Sequence, residues 1–244
     1  MSEFKEFDEQ GSVPERNTGS IISHAFEMYK GVFLYGLVIM IIYFIGDFLV
    51  QSITGYNSWN GFRNFRDFDG DYSDFESWNR PGSSFYLSGF SVLNILFSPF
   101  YVGLIYITNK FNTKEQIEFS DLFIGYRQNL GNILLYSLIT KIILWISFAM
   151  CFLPVLFVYP LFFLGYPILL FENATAMDTI SKTYNIVKEN YTVLLGTALL
   201  GGIISFSGII LCCVGIIFTA FFMEVVMYSA YCAYLGKTRQ IINK

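Results

Sequence analysis

The chain of 244 residues contains a single histidine, His24, and that scarcity removes whole classes of chemistry. Zinc hydrolases of the HExxH type need two imidazoles on one helix face, and iron oxygenases with several histidine ligands need more than this chain offers. There are four cysteines, Cys151, Cys212, Cys213 and Cys232, none in a CxxC pattern and all inside or at the ends of apolar runs. That excludes a disulfide framework or zinc ribbon and leaves each thiol the role of a small apolar side chain. No GxSxG nucleophile turn and no glycine-rich phosphate loop occurs. Charge is scarce as well, at 14% of residues, and no basic patch interleaved with aromatics exists, so nucleic acid is excluded as a partner. The first 19 residues carry five acids and two bases, without a basic start and short apolar core leading to a cleavage site. They read as a solvated acidic tail rather than a signal peptide. His24 itself falls on what reads as a polar helix face, where a solvated role is expected. No catalytic residue, metal ligand or cofactor is expected.

What the chain has is apolar sequence in long blocks. A hydrocarbon core of ~30 Å takes ~20 helical residues to cross. Runs of about that length occupy 31–50, 85–107, 130–153, 154–171, 191–213 and 214–235. The fold class expected is therefore all-α integral membrane, with six transmembrane helices. Pro99, Pro160 and Pro167 predict breaks or kinks within these helices, because proline cannot donate to the helical ladder. Ser91, Asn94 and Ser98 in one span, and Gly201 and Ser205 in another, are the small and polar residues through which membrane helices pack closely.

One pattern is written three times. Ile22-Ser23-x-x-Phe26-x-x-Tyr29-Lys30 recurs as Phe119-Ser120-x-x-Phe123-x-x-Tyr126-Arg127 and as Ile180-Ser181-x-x-Tyr184-x-x-Val187-Lys188. Apolar members at i, i+4 and i+7 share a helical face, and each copy ends on a base ahead of an apolar run. Such a helix suits the headgroup layer, with the aromatic side down and Lys30, Arg127 or Lys188 reaching phosphate. The lipid bilayer is the partner this implies. The spans then group into three units, each an amphipathic interfacial helix plus a transmembrane hairpin. Residues 20–235 form the membrane domain, 1–19 and 236–244 are tails, and 51–84 is a 34-residue insertion in the first hairpin. Lysines and arginines near span ends concentrate on the side of the three bases; opposite stand only Arg63, Arg66 and Arg80. By the positive-inside rule both termini are cytoplasmic and the insertion is outside, in what reads as a bacterial inner membrane.

The stretch YPLFFLGYPILLFENATAMDTISKTYNIVKENYTVLLG, Tyr159 to Gly196, resembles bacterial multi-pass families of unknown function related to the membrane domain of glycerophosphoryl diester phosphodiesterases. The likeness lies in a proline-containing span, an acid at its end (Glu172), an amphipathic segment with Ala176 and Ser181, and a further apolar hairpin. It implies a six-helix membrane domain over roughly residues 119–235 and no catalytic residues.

The insertion is rich in aromatics and carries Asp67, Asp69, Asp71, Asp74 and Glu76, but Gly70 sits two positions too early for an EF-hand loop. A cap over the bundle, or a docking surface for a protein partner, fits it better. Two charges fall inside spans: Lys141, eleven residues in from Leu130, and Glu224, ten in from Val214. At 1.5 Å per residue they lie ~16 and ~15 Å deep, near the middle of the core. Buried membrane charges usually face the bundle and pair, so Lys141 and Glu224 are expected to meet, near Ser137, Tyr228 and Tyr231. The function expected is a non-enzymatic interaction or envelope-accessory module. The rival is a small transporter or lipid-handling protein with a polar cavity near that pair. The topology makes the first prediction. In a chain stripped of native cysteines, Ser73→Cys should react with an impermeant thiol reagent on whole cells and Asn112→Cys should not; the reverse result inverts the orientation.

Overall fold

The computed structural model describes residues 11–56, 83–150, 152–209 and 215–236. Most of the insertion, its acids, Arg63, Arg66 and Arg80, the tail from 237, and Cys151, Cys212 and Cys213 lie outside the described residues. The described residues are helical, with no strand. In order they are α1 (Thr18–Thr54), α2 (Ser83–Leu96), α3 (Ser98–Asn112), a 3-10 turn (Phe119–Phe123) running into α4 (Ile124–Arg127), α5 (Leu130–Ala149), α6 (Phe152–Val158), a second 3-10 turn (Tyr159–Phe162), α7 (Gly165–Phe171), α8 (Ala176–Glu189), α9 (Tyr191–Ser207), α10 (Ile216–Thr219) and α11 (Phe222–Leu235). Five stretches are long and apolar enough to cross a membrane: 18–54, 85–112, 130–149, 154–171 and 216–235. A sixth is available if α8 and α9, which meet at 105°, make one crossing.

Large apolar side chains face outward in number, among them Leu34, Phe48 and Ile53 on α1, Trp145 and Ile146 on α5, and Ile203 and Phe206 on α9. A water-soluble monomer rarely exposes so much contiguous apolar surface, whereas lipid is as apolar as these side chains. The arrangement is that of a multi-pass membrane protein.

The prolines act as expected. Pro154, Pro160 and Pro167 each fall in the first turn of a short helical piece, where a missing N–H costs nothing, so the 154–171 span is built in three pieces. Pro99 likewise opens α3 after the break at Phe97.

The three copies of the repeated pattern do not fold alike. The first lies within the unbroken 37-residue α1 and is no separate interfacial helix. Gly31, where a turn would be needed, is helical, and the Phe111 ring packs against its bare Cα. The second copy is the 3-10 turn plus α4, cut off from α5 by extended Gln128 and left-handed Asn129 (φ 57°). Only the third is a full amphipathic helix, α8, with the Thr175 hydroxyl accepting from the Asp178 N–H at 3.2 Å as its N-cap. Lys30, Arg127 and Lys188 are all exposed, and none joins an ion pair among the described residues.

The chain divides into two compact units. In the smaller, 39–97, Asn94 Nδ2 donates to the Tyr43 hydroxyl at 3.2 Å, and Asp47 accepts from Tyr86 at 2.9 Å and from Gln51 at 2.6 Å. Gly46 and Gly89 lie against Leu93 and Val50, drawing the end of α1 onto α2. In the larger unit, α11 is the central element. Nearly every residue from Val225 to Ala233 is buried, and α11 packs on α3, α7 and α9. The small-residue face of α9 serves this packing, since Gly201 sits against Met223 and Val226.

Close backbone approach also fixes α3. A methyl group on Gly103 would overlap the Leu122 carbonyl, and one on Gly125 the Pro99 carbonyl, and backbone cannot swing aside. Gly103→Ala should therefore cost about 1–3 kcal/mol through overpacking. Gly131→Ala, with open space around it, should not destabilise. Thermal unfolding of both variants in detergent checks the contrast.

Candidate functional site

Within the larger unit, the site with the most unusual chemistry is built where two helices are broken. The turn at Ala220–Phe221 ends α10 and starts α11, placing Glu224 in the first turn of a new helix. There the free N–H groups and the positive end of the helix dipole favour a carboxylate. The second break, through Tyr159–Phe162 and into α7, brings Tyr159 and Tyr166 within electrostatic reach of Glu224. All three residues are partly buried.

Several polar groups of the larger unit are under-bonded. Oε2 of Glu224 is sealed from solvent and has no hydrogen-bond partner. Ser137 stands beside Tyr166 and Thr140 beside Tyr136, but neither hydroxyl completes a well-aligned bond. Tyr136 is fixed: its hydroxyl donates to the Phe162 carbonyl at 2.6 Å, and its ring fills the space left by Gly165. A buried polar group without a partner costs about 1–3 kcal/mol. Glu224 Oε2 and the Ser137 and Thr140 hydroxyls are open valences that an ion, a proton or water would complete.

The expected partner of Glu224 is not there. The described ion pairs are Lys110–Asp121 at 2.9 Å and Lys182–Glu172 at 2.5 Å, and Lys141 with Glu224 is not among them. Lys141 is half-buried on α5, whose Leu138, Ile142 and Trp145 are exposed. A lysine so placed can extend its stem along apolar surface and carry its charge away. Of the neighbours expected from sequence, Ser137 stands beside Tyr166. Tyr228 is buried one turn along α11, about 6 Å from Glu224 at 1.5 Å per residue, but it turns to a different set of partners.

Those partners form a second polar cluster. His24 is 6% exposed, not solvated: Nδ1 lies 2.9 Å from the Ser229 hydroxyl, and Nε2 lies 2.9 Å from the Ser12 hydroxyl. Its position was legible, since Ile21, Ala25, Met28 and Val32 are the buried stripe of α1 and residue 24 falls on it. The acidic tail is likewise not wholly solvated. Ser12 is tied to Asn112, Arg16 Nε donates to the Ala233 carbonyl at 3.1 Å, and Thr18 donates to the Val193 carbonyl at 3.1 Å. Because Asn112 is 8% exposed and bonded, it cannot report on the aqueous side; Gln116, exposed in the next loop, is the better position for labelling.

Comparison with protein-family models, with curated proteins and with solved structures finds no match to this chain.

With no ion pair to break, Lys141→Met and Glu224→Gln should act independently. The double variant should shift thermal stability by the sum of the single effects, within about 0.5 kcal/mol. A double variant clearly more stable than that sum would restore the pairing. The measurement is a thermal or denaturant double-mutant cycle in detergent.

Proposed function

We propose that the protein is a small multi-pass transporter of protons or a monovalent cation, and that Glu224 is the group its solute engages. One observation carries this reading: Glu224 Oε2 is sealed, unpaired by any described cation and without a hydrogen bond. Charged groups inside membrane segments are expensive and usually sit where an ion or proton path uses them. The broken helices support the same reading. Transporters commonly place solute sites at the ends of discontinuous helices, and here a helix N-terminus and a three-piece span flank the carboxylate.

No residue is assigned a covalent or hydrolytic role, and the proposal is non-enzymatic. In it the membrane is the bacterial inner membrane, with both termini cytoplasmic, as the distribution of lysine and arginine implies. The interaction-module reading drew on the aromatic insertion, most of which lies outside the described residues. A carboxylate oxygen left without a partner inside the fold is costly in a scaffold, so the transporter reading takes precedence.

Purified protein in liposomes loaded with a pH-sensitive dye should carry protons, or alkali cations under an imposed potential. Glu224→Gln, which keeps shape and removes charge, should lower the flux about tenfold or more, as expected for the loss of an intramembrane relay group. Equal flux from the wild type and Glu224→Gln would defeat the proposal. A stoichiometric copurifying protein with no flux would favour the interaction module instead.

A further inference from the structure

The segment Gly11–Arg16 runs ahead of α1 without helical structure, and its hydrogen bonds go to buried side chains. Asn112, at the end of α3, pairs with the Ser12 peptide unit at two points. Its Oδ1 accepts the Ser12 N–H at 2.8 Å, and its Nδ2 donates to the Ser12 carbonyl at 3.0 Å. The backbone part of this pairing is available only to chain that is not already in a helix or sheet, and the side chain is read as well, since the Ser12 hydroxyl donates to Asn112 Oδ1 at 3.1 Å and lies 2.9 Å from His24 Nε2. Behind it stands a completed second layer. The Tyr228 hydroxyl accepts from Asn112 Nδ2 at 3.0 Å and donates to Asn109 at 3.0 Å, while the Ser229 hydroxyl meets His24 and donates to the Val225 carbonyl at 3.0 Å.

The site and what fills it differ in burial. Asn112, His24, Tyr228 and Ser229 are all more than nine-tenths buried. In the segment, Ser12, Val13, Glu15 and Arg16 are exposed and only Pro14 is buried. Withdrawing the segment therefore uncovers little apolar core, and water can take over the bonds it made to Asn112. The segment is held by hydrogen bonds more than by apolar burial. Two further contacts select the occupant. Gly11 holds φ +109°, in the left-handed region, where a side chain would be strained. Arg16 caps the last turn of α11 through the Ala233 carbonyl and lies 5.6 Å over the Tyr234 ring.

We infer that Asn112, His24 and the end of α11 form a recognition slot for an extended peptide of the pattern Gly-Ser-x-Pro-x-Arg, filled in cis by residues 11–16 and open to exchange with such a peptide in trans. The inference stands apart from Glu224, which no contact in the slot uses. Because the segment leads directly into α1, its effective concentration at the slot is of millimolar order, so a free peptide competes poorly with it.

The test uses the full chain in detergent and a fluorescent synthetic peptide of residues 9–18. The double variant Ser12→Pro/Arg16→Ala removes the segment's own N–H, the Ser12 hydroxyl that meets Asn112 and His24, and the guanidinium, while leaving the slot residues unchanged. It should bind the peptide about tenfold or more tighter than the wild type does. Adding Asn112→Asp, which removes the amide donor and sets a carboxylate against the Ser12 carbonyl, should abolish that gain. Equal binding by wild type and the double variant, or none by a double variant that melts like the wild type, overturns the slot. If the double variant does not fold, hydrogen exchange on the wild type decides: excess peptide should speed exchange of the Ser12 amide, and unchanged exchange overturns the inference.

Discussion

The larger unit is organised around α11, a helix that must be buried although its sequence is not purely apolar. Val225, Val226, Ala230 and Ala233 give it an inward-fitting surface, but Glu224, Tyr228, Ser229 and Tyr231 lie on the same segment. Each polar group taken out of water needs a partner within the protein. The surrounding elements follow from that demand. The end of α3 supplies Asn109 and Asn112 to Tyr228, the start of α1 supplies His24 to Ser229, and residues 12–16 close the cluster. At the other end of α11 the demand goes unmet, because Glu224 Oε2 has no partner. One helix thus carries a satisfied polar cluster and an unsatisfied one about a single turn apart. The contrast separates architecture from candidate function: saturated bonds stabilise a geometry, while open valences await something that is not part of the chain.

Backbone breaks set the same division. The spans interrupted at Tyr159–Phe162 and at Ala220–Phe221 expose helix ends inside the bundle, a costly arrangement unless those ends are used. The connection from α7 to α8 shows how the chain compensates elsewhere. Asn129, in a left-handed conformation, donates to the Leu169 and Ala174 carbonyls at 3.1 and 2.9 Å, and Asn132 accepts from the Ala176 N–H at 3.1 Å. Two asparagines at the start of α5 thereby satisfy a chain reversal that has no regular partner. No comparable side chain reaches Glu224 Oε2.

The membrane class, the positions of most spans and the places where proline interrupts them were legible in the sequence. Each depends on local quantities: run length against bilayer thickness, and a missing N–H in a helical ladder. The repeated pattern was legible as a pattern but not as a structure. Its three copies share residues at i, i+4 and i+7, yet the next few residues decide whether the helix continues or turns. Lys30-Gly31 runs on in the helix with a ring from α3 packed against it, whereas Arg127 is followed within two residues by a left-handed asparagine and Lys188 by the junction at Asn190. His24 was misread by assigning a charged-capable residue to the polar face, although its spacing from Ile21 and Met28 placed it inward.

By itself the sequence determined that this is a helical chain for an apolar solvent, with a handful of polar residues it must place within its own fold. That follows from composition and periodicity, which act between near neighbours. Which polar residues meet was decided only by tertiary structure. Ser12 finds Asn112 one hundred residues away, and His24 finds Ser229 across 205, while Lys141 and Glu224, matched in charge and in counted depth, do not pair. Depth counted along a helix fixes a height but not an azimuth, and a side chain's partner is set by azimuth, by the breaks that rotate one helical piece against the next, and by what neighbouring helices offer at that level.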